Sequence, residues 1–189
     1  MRNLKITFIA ILTALTFNAQ AQEFKLDNNK SEINWTGKAA FNSYSLTGTL
    51  TSEAGNIIIK DNLIESLEVV IDMKSLNHEN KRLKSHLRGK DFFEVKKYAQ
   101  ATFTLDEPTT VQDGHAELSG TLKIKNSAHS ENIKAIVKIE DNKVLLTFNT
   151  EIDRTKYGVK FNSPTFFKKM KENAIADSFK LEGGFVFVK

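Results

Sequence analysis

The chain has 189 residues, a formal net charge of +4 and no cysteine. The missing thiols exclude disulfides, thiolate metal sites, cysteine nucleophiles and a lipidated N-terminal cysteine. With 27 basic and 23 acidic residues, the balance is too even for a nucleic-acid partner, which calls for a concentrated basic face.

Arg2 and Lys5 precede an apolar run from Ile6 to Phe17 that ends in Asn18, Ala19, Gln20 and Ala21. A positive start, a short apolar middle and an A-x-A exit make a secretory signal peptide. The run is too short for a bilayer-spanning helix, which needs about 20 apolar residues. Cleavage is expected before Gln22, dividing the chain into a signal peptide, residues 1–21, and one exported domain, residues 22–189.

After the signal the main pattern is alternation, the period of a half-buried strand. Short candidates lie at Glu32–Gly37, Ser45–Thr51 and Asn56–Lys60. Leu67, Val69, Ile71 and Met73 then share one face, with Glu68 and Asp72 on the other. From Asn77 to Arg88 the spacing turns helical, with Leu83 and Leu87 four apart, Asn77 placed to cap the start and Gly89 to end it.

Strand spacing resumes at Ala101–Leu105, then at Ala116, Leu118, Gly120, Leu122 and Ile124. Ile133, Ala135, Val137 and Ile139 lead through Asp141, Asn142 and Lys143 into Val144, Leu146, Phe148 and Ile152, which reads as a hairpin. A second short helix is expected from Pro164 to Ala176, with Lys168, Lys169 and Lys171 opposite Phe166, Phe167 and Met170. Phe179, Leu181, Phe185 and Phe187 alternate to the end. The expected fold is therefore all-β, a single antiparallel barrel of about eight strands with one or two short capping helices. A sandwich is the alternative, but closure removes exposed edges.

Catalytic signatures are missing: the sequence has no GxSxG, HExxH, GxxxxGK or dinucleotide fingerprint. His78, His86, His115 and His129 lack the spacing of a zinc site, so no metal or cofactor is expected. His86 and Asp91 resemble a base with an orienting carboxylate, but a helix-end histidine and a capping aspartate before Phe92 is the simpler reading. No catalytic residue is assigned.

Fourteen phenylalanines are the chain's main resource. A barrel of about eight strands is wide enough to be plugged by side chains or to hold one ligand, and apolar inward faces suit an apolar ligand. The wall candidates are Trp35, Val69, Ile71, Phe103, Leu122, Ile124, Phe148 and Phe179, with Leu83, Leu87, Phe92 and Phe167 near the cap. His86, Arg154 and Tyr157 are placed at the rim, where a cation and a phenol suit a phosphate or quinone head group. A surface pair of Asp153 with Arg154 is the plainer alternative. Lys81, Arg82, Lys84, Arg88, Lys90, Lys96 and Lys97 form either a solvated face or a docking patch for anionic lipid.

The block KSHLRGKDFFEVKKYAQATF at residues 84–103, with GTLKIK at 120–125, DRTKYGV at 153–159 and AIADSFKL at 174–181, resembles the YceI-like family of exported, polyisoprenoid-binding proteins. The resemblance implies an extended, lipocalin-like barrel with a long isoprenoid tail in its bore, located in the periplasm. It departs from the family pattern at Asn126, Ser127 and Ala128, before His129, and at Ala99 after Tyr98.

The function expected from this reading is non-enzymatic: a carrier or sequestering protein for a long-chain isoprenoid or other apolar lipid. A protein-interaction module with a filled core and a lipid-modifying enzyme using His86 and Asp91 are the alternatives. The identity of the lipid, a homodimer and transient contact with a membrane surface are left open by the sequence.

Overall fold

The computed structural model describes residues 20–167 and 173–189. In chain order these form β1 (Gln22–Leu26), β2 (Glu32–Ala39), β3 (Ser45–Lys60), β4 (Leu63–Asn77), α1 (Lys81–Leu87), β5 (Gln100–Leu105), β6 (Thr109–Thr110), β7 (His115–Ile124), β8 (Ser127–Glu140), β9 (Lys143–Asp153) and β10 (Ile175–Val188). Every pairing is antiparallel. The order β3-β2-β10-β9-β8-β7-β5-β4 returns to β3, so the sheet closes into an eight-position barrel. The sandwich alternative falls.

The two extra strands share positions with neighbours. β2 pairs its Ile33–Lys38 stretch with the first part of β3, while β1 pairs Gln22–Lys25 with Ile59–Asn56 at the other end of that strand. Between them the chain leaves the ladder, and Ser31 bridges the break. Its hydroxyl donates to the Asp27 carbonyl at 2.8 Å and accepts from the Val186 amide at 3.1 Å, so the hydroxyl gives a backbone donor at the break its partner. β6 likewise extends the line of β5 along β4.

β3 merges the two separate strands expected at Ser45–Thr51 and Asn56–Lys60. Ser52 is buried on the same alternation as Leu50, but past an irregularity between Ser52 and Ala54 it is Ile57 and Ile59 that point inward. A bulge adds a residue to one strand and moves the following side chains to the opposite face. The change of phase made one strand look like two.

Large inward rings need room against the neighbouring strand, and two glycines supply it. A Cβ on Gly48 would sit 2.1 Å from the Asn77 carbonyl and 2.4 Å from the Trp35 ring, and one on Gly120 would sit 2.5 Å from Phe103. Any side chain there would displace the ladder or the ring.

α1 begins later than its sequence pattern implied. Asn80, not Asn77, is the N-cap, accepting from the Arg82 and Leu83 amides at 3.0 and 3.1 Å, while Asn77 closes β4. Arg88 binds the Leu76 carbonyl at 2.8 Å, and Lys125 binds the Phe92 carbonyl at 3.0 Å, fixing the α1 connection across one end of the barrel. Antiparallel order places the β2–β3, β7–β8 and β9–β10 connections at that same end. The second expected helix lies partly outside the described residues. Within them, Pro164–Phe167 contains turns, and Ile175 and Ala176 already belong to β10.

Candidate functional site

Inward positions of the strands surround a cavity of about 500 Å³, within the roughly 300–1,000 Å³ of ligand pockets. Its wall takes Trp35 from β2, Val69 and Ile71 from β4, Phe103 from β5, Leu122 and Ile124 from β7, Phe148 from β9 and Phe179 from β10. Leu83 and Leu87 of α1 close over it with Phe92 and Phe93. The Phe148 and Phe185 rings stack with centroids 5.2 Å apart, and Phe93 meets Phe179 edge-on at 6.3 Å. Lys38, Asn42, Tyr44 and Asn173 border the cavity and are exposed, which marks its mouth between the β2–β3 loop and the start of β10.

Phe167 does not reach this wall. It lies on the turn after Pro164 and is 48% exposed, because its backbone amide folds back onto the Ser163 carbonyl instead of continuing toward the bore. The rim expectations need larger corrections. Arg154 borders the cavity but is 4% exposed, and its guanidinium donates to the carbonyls of Ala176, Val159 and Ile175 at 2.9, 2.7 and 2.9 Å. Those donors join the β9 turn to β10 and leave little for a head group. Burial pulls the Arg154 pKa down against the pull of Asp177 and Asp153.

Asp177, 3.8 Å from that guanidinium, is subject to the opposite balance. Burial would raise its carboxyl, but the Ser163 and Thr165 hydroxyls and the Arg154 charge hold it below the ordinary value. His86 lies outside the cavity wall. Its Nε2 is 3.3 Å from Asp91, and its ring meets Phe92 and Phe161 edge-on at 5.0 and 4.8 Å. This pins the α1 connection to the segment after β9.

Tyr157 is buried outside the cavity wall and donates to Glu131 at 2.9 Å. Burial, followed by the Glu131 contact, pushes the phenol above its ordinary value of 10.0. A raised folded value means that this stabilisation is complete below pH 10 and is lost as pH climbs beyond it. Tyr157→Phe is expected to lower neutral-pH stability by about 1 kcal/mol and to flatten the alkaline fall in Tm. Melting curves of both proteins from neutral pH to above pH 10 check both effects, and parallel alkaline limbs would refute the assignment.

The family model described as YceI-like domain matches residues 24–187. The chain belongs to the YceI-like family. A UPF0312 protein of Vibrio parahaemolyticus is 26% identical over 137 residues, 71% of this chain and 72% of that protein. The crystal structure of BcnA from Burkholderia cenocepacia superposes with a TM-score of 0.69 at 19% identity, covering 85% of this chain and 98% of that one. A polyisoprenoid binding domain from Saccharophagus degradans, implicated in plant cell wall breakdown, gives a TM-score of 0.66 at 16% identity, covering 87% and 97%. These likenesses establish the YceI-like barrel fold.

Several wall residues of this YceI-like barrel escaped the sequence reading. Leu46 and Leu50 border the cavity and were detectable as the same face as Gly48. Phe93 and Leu76 had no such signal, since both lie where strand periodicity stops. Chemically the interior offers desolvation and dispersion, with little that moves protons: Lys38 and Arg154 are the charged residues on the described wall. One is at the mouth and the other is engaged by backbone carbonyls.

Proposed function

We propose that this protein is an exported, non-enzymatic carrier that holds a long-chain isoprenoid or a similar apolar lipid inside its barrel. The observation that carries the reading is the apolar cavity of about 500 Å³ within the closed sheet. A filled core would leave no such space, which removes the main support for a purely structural interaction module. The description of the Saccharophagus domain as polyisoprenoid binding supports the ligand class. His86 and Asp91 lie outside the cavity wall, which weighs against their acting on a bound lipid. Export to the periplasm is part of the proposal, supported by the A-x-A exit at Ala19–Ala21 and by β1 starting at Gln22.

Burial of a tail contributes about 0.8 kcal/mol per methylene before ordering costs are subtracted. Affinity is therefore expected to rise by about tenfold or more with each isoprene unit until the bore is full, and to change little with the head group. Titration with isoprenoids of one head group and increasing tail length tests this. Flat affinity across the series would sink the proposal. Mass spectrometry of an organic extract from protein purified without detergent would identify the lipid.

A further inference from the structure

Of the five large apolar side chains most open to solvent among the described residues, Phe41, Tyr44, Phe166 and Phe167 lie in the connections at the mouth end of the barrel, while Ile136 lies on β8. Phe41 is 68% and Tyr44 62% exposed. The two aromatic pairs belong to connections held side by side. Ala40 donates to the Ala174 carbonyl at 2.9 Å, and Asn162 donates to the carbonyl of Asn173, a mouth residue, at 3.0 Å. An apolar fringe around an opening is uncommon on a protein that meets only water.

The charge around this fringe points to its partner. Lys160 lies 4.3 Å from the Phe166 ring centroid, and Lys38 is exposed at the mouth. The α1 connection, at the same end, exposes Lys81, Arg82, Lys90, Lys96 and Lys97 against Glu79 and Asp91. Aromatic side chains settle at the interface between lipid tails and water, and neighbouring cations are attracted to anionic head groups.

We infer that the mouth of the barrel docks on an anionic phospholipid bilayer, with Phe41, Tyr44, Phe166 and Phe167 entering the interface and the surrounding lysines meeting the head groups. The inference deepens the carrier reading and rests on it, because docking brings the opening of an apolar bore to the surface from which a lipid tail would enter. A second copy of the chain would set the exposed basic side chains of this end against each other.

Flotation of cargo-free protein with isoprenoid-free vesicles tests the docking step alone. Vesicles of phosphatidylcholine with phosphatidylglycerol are expected to carry the protein up, whereas phosphatidylcholine alone is not, and salt is expected to weaken binding through screening. The variant Phe41→Ser and the double variant Phe166→Ser with Phe167→Ser are each expected to bind about tenfold more weakly, as less apolar area enters the interface. Their melting curves and isoprenoid affinities in solution should match the parent, since the three side chains are exposed and lie outside the cavity wall. Equal flotation of parent and variants, or equal flotation on neutral and anionic vesicles, overturns the docking surface. So does a shift from dimer to monomer in the variants with no flotation of the parent. A parent protein that binds isoprenoid but does not float rejects docking alone, while a parent that floats without binding isoprenoid rejects the carrier reading alone.

Discussion

Replacing Arg154 with methionine is expected to lower the stability of the barrel by about 3–5 kcal/mol, the scale of removing one member of a buried charged network. Methionine preserves much of the apolar stem, so the loss isolates the guanidinium. Three carbonyls, those of Val159, Ile175 and Ala176, would lose their donor, and Asp177 would lose the cation 3.8 Å away. An orphaned buried polar group costs about 1–3 kcal/mol, so even partial rescue by water leaves a large deficit. Urea unfolding of parent and variant measures it directly, and a difference below about 1 kcal/mol would show that the contacts are dispensable.

Acid titration adds an independent check. Asp177 has its carboxyl lowered in the folded state, so its stabilisation is present above the ordinary aspartate value of 3.8 and is lost as pH falls through the lowered folded value. The Arg154→Met variant should lose part of this acid dependence along with its neutral-pH stability. Arg154→Lys keeps a charge but cannot span three carbonyls, and should recover a minor fraction.

Phe148→Asp is expected to reduce lipid binding below detection. Phe148 is buried on the cavity wall, opposite Ala135 on β8 and Gly183 on β10, with Phe185 stacked against it. The cations on the described wall are Lys38 at the mouth and Arg154, whose donors are held by backbone carbonyls, and an unpaired charge in an apolar site costs several kcal/mol. That corresponds to a loss of at least about two orders of magnitude in affinity. Ala101→Trp serves as a companion because it fills the bore at a buried wall position without adding charge. Displacement of an apolar fluorescent probe, measured alongside melting, separates lost binding from lost folding. Undiminished binding in both folded variants would place the ligand elsewhere.

The barrel was legible wherever inward residues kept one phase over a whole strand. Val69 and Ile71 on β4 and Leu122 and Ile124 on β7 could be placed from spacing alone, because each strand keeps that phase through the relevant stretch. β3 could not, since its bulge reverses the phase between Leu50 and Ile57. Phe167 and Phe93 show the limit of composition: each follows another phenylalanine in a connection, and only the path of the backbone decides which one reaches the bore. The partners that occupy Arg154, which does border the cavity, and Tyr157 were hidden for a different reason. They lie at Ile175 and Glu131, 21 and 26 residues away, and the contacts that bury the two side chains arise from strand pairing, which local pattern does not reveal.

The seam between β2 and β10 also governs the order in which the molecule can assemble. Ser31 and Val186 meet across 155 residues, and β10 fills the place between β2 and β9. A chain delivered N-terminus first has no closed form to adopt until its last strand arrives. Up to that moment β2 and β9 each present an unpaired edge, and contacts so distant in sequence form slowly. Chain length thus acts as a timer: the sheet stays open until the C-terminal residues are available, then closes around its interior.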